Sequence, residues 1–298
     1  MLSRLRFSPF LVQLVVTRRC NLACKYCNEF DKTLPEIPFD LLTERLRHIR
    51  ALGAFAVEFT GGEPLLHTRI FDLIRFAKGL RFRRVMLLTN AFLLNEARIE
   101  GLNQAGLSDL QVSVDGIEPN AITVKVLRSM RPKLEALAAR ARFRVTLNTV
   151  VGSAPPVEAL EVVRFARTHG FRPRVCLIHD GDGQLKLSLE EARVFQTIQR
   201  MVGWRFSESG DYRKRLIDVG HAEFKCRAGS RYLYVDEDGV VRWCSQQRAA
   251  FGVPLDSYDF AELKRQFFTG KSCNPHCTVG CVRTCSAVDV WRTQTAPA

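Results

Sequence analysis

No apolar run in this chain reaches the roughly 20 residues that a membrane-spanning helix needs, so no such helix is expected. The apolar stretch Phe10-Leu11-Val12-Gln13-Leu14-Val15-Val16 is followed by Thr17-Arg18-Arg19 and lacks a small-residue cleavage site. It therefore reads as a buried first strand and not as a signal peptide, and a cytoplasmic location is expected. Low-complexity linkers are missing too. The net charge is +13, yet the basic residues (Arg45, Arg47, Arg50, Arg81, Arg83, Arg84, Arg140, Arg142, Arg144) are scattered, with no aromatic-interleaved patch. Solvated helix faces account for such charge, and a nucleic-acid partner is not expected.

Cysteine, by contrast, is plentiful: ten residues in 298. In a reducing compartment, thiols grouped at short spacing hold metal more often than they form disulfides. One group is Cys20, Cys24 and Cys27; the other is Cys226, Cys244, Cys273, Cys277, Cys281 and Cys285. Cys176 stands alone within Val175-Cys176-Leu177-Ile178 and reads as a small buried hydrophobe.

Hydrophobic residues make up 46% of the chain, enough for one large core or two unequal ones. From Leu11 to Ile178 short β-branched runs alternate with helical periodicity. Strands are expected at 11–17, 55–59, 84–89, 110–114, 143–151 and 173–178. Helices are expected around Leu41–Leu52, Ile70–Ala77, Asn95–Ala105 (ended by Gly106), Ile122–Ala141 (interrupted at Pro132) and Pro156–His169. Six β–α repeats predict an α/β fold, a parallel layer or partial (β/α)6 TIM-like barrel with its active face at the strand C-termini. Beyond about residue 185 the pattern changes. Leu189–Met201 reads as a helix, Trp204–Glu223 has no clear assignment, and Tyr232–Val235 with Val240–Trp243 flank a turn at Asp236–Gly239 as a β-hairpin. Residues 1–185 are thus expected to form the core, and 186–298 a smaller C-terminal domain.

Cys20-Asn-Leu-Ala-Cys24-Lys-Tyr-Cys27 has the spacing C-x3-C-x2-C. Three thiolates can cap three irons of a [4Fe-4S] cube and leave the fourth open. A zinc site would need a fourth protein ligand, for which His48 and His67 are conceivable. One strand later comes Thr60-Gly61-Gly62-Glu63-Pro64, where two glycines let the backbone approach a ligand closely.

These two elements, in this order, resemble the radical SAM superfamily over residues 11 to about 180. The resemblance implies that Cys20, Cys24 and Cys27 hold the cluster and that Tyr26 packs near the adenine of S-adenosylmethionine (SAM). It implies that Gly61, Gly62, Glu63 and Pro64 bind the methionine amino end. Thr89, Asn90, Ser113 and Asp115 lie where the family contacts ribose or methionine carboxylate. Asn148 is a similar candidate, and Ile178 sits where backbone meets adenine. Ser113 and Asn148 can equally serve as strand-end caps.

The C-terminal cysteines resemble the twitch or SPASM auxiliary-cluster extensions of such enzymes. The hairpin between Cys226 and Cys244, and Gly239 in a Gly-x4-Cys ending, match. The tail departs, with uniform x3 gaps where SPASM domains carry C-x2-C-x5-C-x3-C. The expectation is one auxiliary [4Fe-4S] cluster held by Cys226 and Cys244 with members of Cys273, Cys277 and Cys281, Cys285 being spare; structural zinc is the alternative. His179-Asp180-Gly181-Asp182-Gly183 and Ser245–Arg248 are candidate substrate contacts. The implied activity is radical modification of a peptide or small metabolite, with flavodoxin or ferredoxin as electron donor. No separate peptide-recognition segment precedes Leu11, which weighs against a peptide. RNA or lipid modification, or a non-catalytic iron–sulfur carrier, are the alternatives; a carrier would have no use for the Gly61–Pro64 turn.

Overall fold

The structure is a computed structural model that describes residues 6–27, 31–178, 185, 187–202, 208–289 and 291–292, and for 208–211 the backbone alone. Strands β1 (Leu11–Thr17), β2 (Ala56–Gly61), β3 (Arg84–Thr89), β4 (Asp109–Ser113), β5 (Arg144–Val151) and β6 (Arg172–Leu177) form consecutive parallel pairs. Helices α1 (Phe39–Ala51), α2 (Ile70–Gly79), α3 (Glu96–Ala105), α4 (Leu127–Arg140) and α5 (Pro156–Thr168) alternate with them. The sheet does not close on itself. Its edges are β6 and β9, as in a partial barrel.

The parity of the strands decides which side meets the helices. Val12 and Leu14 of β1 align with Val57 and Phe59 of β2, and this series continues through Val85, Leu87, Leu110 and Val112, all fully buried. Against it the helices lay apolar stripes at i, i+3, i+4 spacing, such as Leu42, Leu46 and Ile49, or Leu127, Met130, Leu134 and Leu137. Each such side chain contributes about 1.5–3 kcal/mol on burial. The opposite parity carries Gln13, Glu58, Gln111, Asn148 and Arg174, so the inner face of the sheet is polar.

Local signals set several boundaries. Asn95 caps α3 by accepting from the Arg98 N–H at 2.9 Å, and Gly106 ends it in the left-handed conformation at φ 81°. The expected helix from Ile122 begins only at Leu127, and Pro132 lies inside α4 without ending it. Residues before it are held otherwise: Asn120 Oδ1 accepts from the Ile122 and Thr123 N–H groups at 2.8 and 3.0 Å, an Asx turn that competes with helix.

In the C-terminal part, α6 (Leu189–Val202) and α7 (Glu208–Val219) precede a hairpin of β7 (Tyr232–Val235) and β8 (Val240–Arg242). β7 pairs in parallel with β1, so the hairpin and β9 (Val253–Pro254) extend the core sheet to nine strands. After α8 (Phe260–Phe268), helix α9 (Gly280–Ala287) lies against β7. Buried Arg231 joins the two ends of the chain, pairing with Asp289 and donating to the Ser8 carbonyl at 2.7 Å. No helix among the described residues is long and apolar enough to cross a membrane.

Candidate functional site

The first three cysteines lie on the loop that leaves β1, and the Gly61–Pro64 turn holds the start of that loop. The Gly62 N–H donates to the Thr17 carbonyl at 2.9 Å and the Glu63 N–H to the Arg19 carbonyl at 2.8 Å. A Cβ on Gly62 would stand 2.6 Å from the Arg19 carbonyl carbon, and Gly61 has φ 137°. The close approach that these glycines allow is therefore, first of all, that of residues 17–19. Glu63 is fully buried; its carboxylate accepts from the Leu65 N–H (3.0 Å), the Thr89 hydroxyl (2.8 Å) and the Asn90 N–H (2.7 Å). Burial raises its pKa, while those donors pull it back.

Asn90 in turn donates to Asn21 Oδ1 at 2.8 Å and lies 3.7 Å from Cys20 Sγ. Burial raises the Cys20 thiol; the Leu22 N–H opposes this, and Glu63, Cys27 and Cys24 reinforce it. The three thiols thus share one neighbourhood. Both histidines weighed for zinc are engaged elsewhere: His67 Nε2 lies 2.9 Å from the Ile37 carbonyl and His48 Nε2 2.8 Å from that of Tyr258. Among the described residues no three Cys, His, Asp or Glu side chains are arranged to hold a single metal ion. Zinc needs its donors about 2.0–2.3 Å from one point, whereas thiolates on a cube reach different irons.

Tyr26 donates its hydroxyl to Asp115 Oδ2 at 2.6 Å. Thr123 donates to the same oxygen at 2.8 Å, and Lys125 pairs with it at 3.3 Å. Asp115 is fully buried, and its Oδ1 has no hydrogen-bond partner. Ser113, the last residue of β4, pairs in register with Asn148 in the middle of β5, and the Asn148 carbonyl accepts from the Val114 N–H at 2.9 Å. Ile178 gives its N–H to Val151. Thr89, Asn90, Ser113, Asp115 and Ile178 therefore fall at or just after strand C-termini, Asn148 lies within β5, and Asn90 and Asp115 reach the cysteine loop through Asn21 and Tyr26.

A cavity of about 270 Å³ opens on the inner face of the sheet. Its wall includes Tyr26, Asn148 and Ile178 from the expected set, together with Gln13, Glu58, Gln111, Arg174 and Cys176, which sequence reading passed over. Their signal was present: single polar residues at alternate positions inside apolar strands. Gln13 donates to Glu58 at 2.6 Å, Arg174 donates to Gln111 at 2.8 Å, and Cys176 lies 3.2 Å from Asn148 Oδ1. Cys176 is half-buried on this polar face and not in the apolar core, because strand parity places it with Arg174. Residues 179–184 lie outside the described residues; Ser245 and Gln246 do line the cavity.

The C-terminal cysteines divide into two groups. The loop bearing Cys273 and Cys277 is tied to the segment before Cys226, with Ala222 N–H to the Pro275 carbonyl at 2.8 Å and Phe224 N–H to Asn274 Oδ1 at 3.3 Å. Tyr212 donates to the Cys277 carbonyl at 3.0 Å. Burial pushes the Cys244 thiol up to about 12; the Gln247 and Gln246 N–H groups oppose this, and Cys226 and Cys273 add to it. Cys277 is raised by burial and then by Cys226 and Cys244. Cys281 instead lines the cavity, beside Arg174, Glu58 and Tyr232, with Cys285 behind it.

The radical SAM superfamily model matches residues 14–191. Over 205 residues the chain is 30% identical to the GTP 3′,8-cyclase of Mycolicibacterium smegmatis, covering 63% of this chain and 56% of that protein. It is 34% identical over 113 residues to the PqqA peptide cyclase of Bradyrhizobium diazoefficiens, covering 37% of this chain and 30% of that one. The chain thus spans about half or less of these relatives. The structure of Streptococcus suis SuiB bound to the precursor peptide SuiA has a similar fold, with a TM-score of 0.68 at 15% identity, covering 87% of this chain and 64% of that one. Since the matched segment spans more than half of the sequence and runs through both the cysteine loop and the turn that secures it, the chain belongs to the radical SAM superfamily, enzymes that bind a [4Fe-4S] cluster and SAM.

Proposed function

We propose that this enzyme cleaves SAM reductively and modifies a peptide by hydrogen-atom abstraction. The observation that carries the reading is the cysteine loop held by Gly62 and Glu63 beside a polar cavity. Cys20, Cys24 and Cys27 would hold the cluster. Gly61–Pro64 would meet the methionine end of SAM, and Thr89, Asn90, Ser113, Asp115, Asn148 and Ile178 the rest of it. The cluster, once reduced by an external donor, would supply one electron to the SAM sulfonium, whose S–C5′ bond would break to give methionine and a hydrogen-abstracting 5′-deoxyadenosyl radical. The chain orients the reactants and keeps water from them. Of the four auxiliary ligands, we assign Cys226, Cys244, Cys273 and Cys277. Residues 1–185 would then serve SAM, and 186–298 the second cluster.

The cavity supports a peptide over a nucleotide. Among its described wall residues the acidic side chain is Glu58, whose pKa burial raises, and the basic one is Arg174. Gln13, Gln111, Asn148 and Gln246 supply amides. Such a wall matches neutral amide and hydroxyl groups, whereas a triphosphate calls for several cations. The peptide named with SuiB and the peptide cyclase among the relatives agree with this reading. A flavodoxin or ferredoxin would deliver the electron.

The test is to reconstitute the protein without oxygen, reduce it, add SAM and measure 5′-deoxyadenosine by mass spectrometry. Product that disappears on Cys24→Ala is expected. No product from wild-type protein carrying a full complement of iron would favour a carrier. Turnover stimulated by GTP and not by peptide would reverse the substrate assignment.

A further inference from the structure

The loop between β1 and α1 has no regular secondary structure around its thiols. Gly62 and Glu63 hold its beginning, but nothing in that turn fixes Cys24 and Cys27. The two residues between these cysteines are both tied to one segment, the strap 115–125, whose last residues, 122–125, stand where a helix was expected. The Lys25 N–H donates to the Ile122 carbonyl at 3.1 Å. Tyr26 donates to Asp115 at 2.6 Å, and Lys125 donates to the Tyr26 hydroxyl while pairing with Asp115 at 3.3 Å. The Lys125 ammonium also lies 4.8 Å from the centre of the Tyr26 ring.

We infer that Lys125 is a positioning residue for the cluster loop, fixing the Tyr26 ring and with it the seat of the Cys24–Cys27 turn, which the Cys27 N–H closes by donating to the Cys24 carbonyl at 3.1 Å. The strap is anchored by Asn120, which donates to the Ser153 carbonyl at 3.1 Å, and its two ends are joined by the Asp115 N–H donating to the Lys125 carbonyl at 2.7 Å. Tyr26, Asp115 and Lys125 each touch the other two, and Lys125 is the member that also faces the Tyr26 ring. Loss of its ammonium leaves the Tyr26–Asp115 bond but frees the ring to rotate about it. The inference rests on the reading that this loop carries the SAM-binding cluster.

Three variants test it in the reconstituted full chain: Lys125→Met, Lys125→Arg and the isosteric Tyr26→Phe. The readouts are iron per chain, the change that SAM makes in the electron paramagnetic resonance of the reduced cluster, and KM for SAM against kcat. Wild-type protein without any SAM-dependent signal would sink the underlying reading before the variants are compared. With that signal present, Lys125→Met is expected to keep its iron and raise the SAM concentration for half-maximal change at least about tenfold, a hydrogen bond to a charged group being lost. Lys125→Arg should recover most of this. Tyr26→Phe, which also removes the Tyr26–Asp115 bond, should raise that concentration at least as far as Lys125→Met, and the double variant should be no worse than Tyr26→Phe alone, because Lys125 acts through the Tyr26 hydroxyl. Wild-type SAM response in Lys125→Met, or additive losses in the double variant, would overturn the inference. If Lys125→Met fails to fold, an unchanged SAM response in Tyr26→Phe overturns it equally.

Discussion

Replacing Gly62 by Ala should detach the cluster loop from the sheet. An added Cβ would stand 2.6 Å from the Arg19 carbonyl carbon and closer still to the Arg18 and Arg19 oxygens, where real Cβ atoms keep at least 3.0 Å. These are backbone atoms, so no side chain can swing aside; the turn and the loop must part by more than about 0.4 Å, the difference of those two distances. That shift strains the hydrogen bonds from Gly62 and Glu63 to Thr17 and Arg19. Two bonds at about 0.5–1.5 kcal/mol each, with about 1–3 kcal/mol for overpacking, give a local cost of roughly 2–6 kcal/mol. The assay is iron content after anaerobic reconstitution, beside urea denaturation. Two cubes carry about eight irons, and the variant should fall toward about four, since the C-terminal thiols are untouched. Gly79→Ala is the control, because a Cβ there meets nothing within 4 Å. Full iron in Gly62→Ala, with stability within about 0.5 kcal/mol of wild type, would refute the reasoning.

Glu63→Gln keeps one acceptor oxygen where the carboxylate uses two, so in either orientation its amide nitrogen must face an N–H donor unmatched. A cost of about 1–3 kcal/mol is expected in urea melts of the apoprotein. Cys277→Ala should lose the second cluster and about half of the iron, whereas Cys281→Ala should retain both clusters; equal loss in both would refute the assigned ligand set. Asp289→Ala strands the buried Arg231 and also removes a partner 3.2 Å from Arg292. Breaking a buried pair of this kind costs about 3–5 kcal/mol, which chemical denaturation would register.

Much of the core was legible in order along the chain, because buried parallel strands are short β-branched runs and Asn95 and Gly106 announce a helix's ends. β1 and β3 fall where they were read, and the cysteine spacing identified the loop. What periodicity misjudged was 122–126, where the Asx turn at Asn120 and the contacts with Tyr26 outweigh helical propensity. The assignment of Gly61 and Gly62 to ligand approach left out residues 17–19, which the parallel pairing of β1 with β2 brings near.

The sequence by itself determined the chemistry available: which residues carry thiols, where the glycines permit contact, and which strands alternate polar with apolar. Only the tertiary structure decided their grouping. Cys176 and Cys281 come from distant positions to one cavity, while Cys277, four residues before Cys281, turns toward Cys226 and Cys244. Spacing along a chain fixes how far apart two side chains can be, but the parity of strands and the pairing of β7 with β1 fix which side of the sheet each one faces.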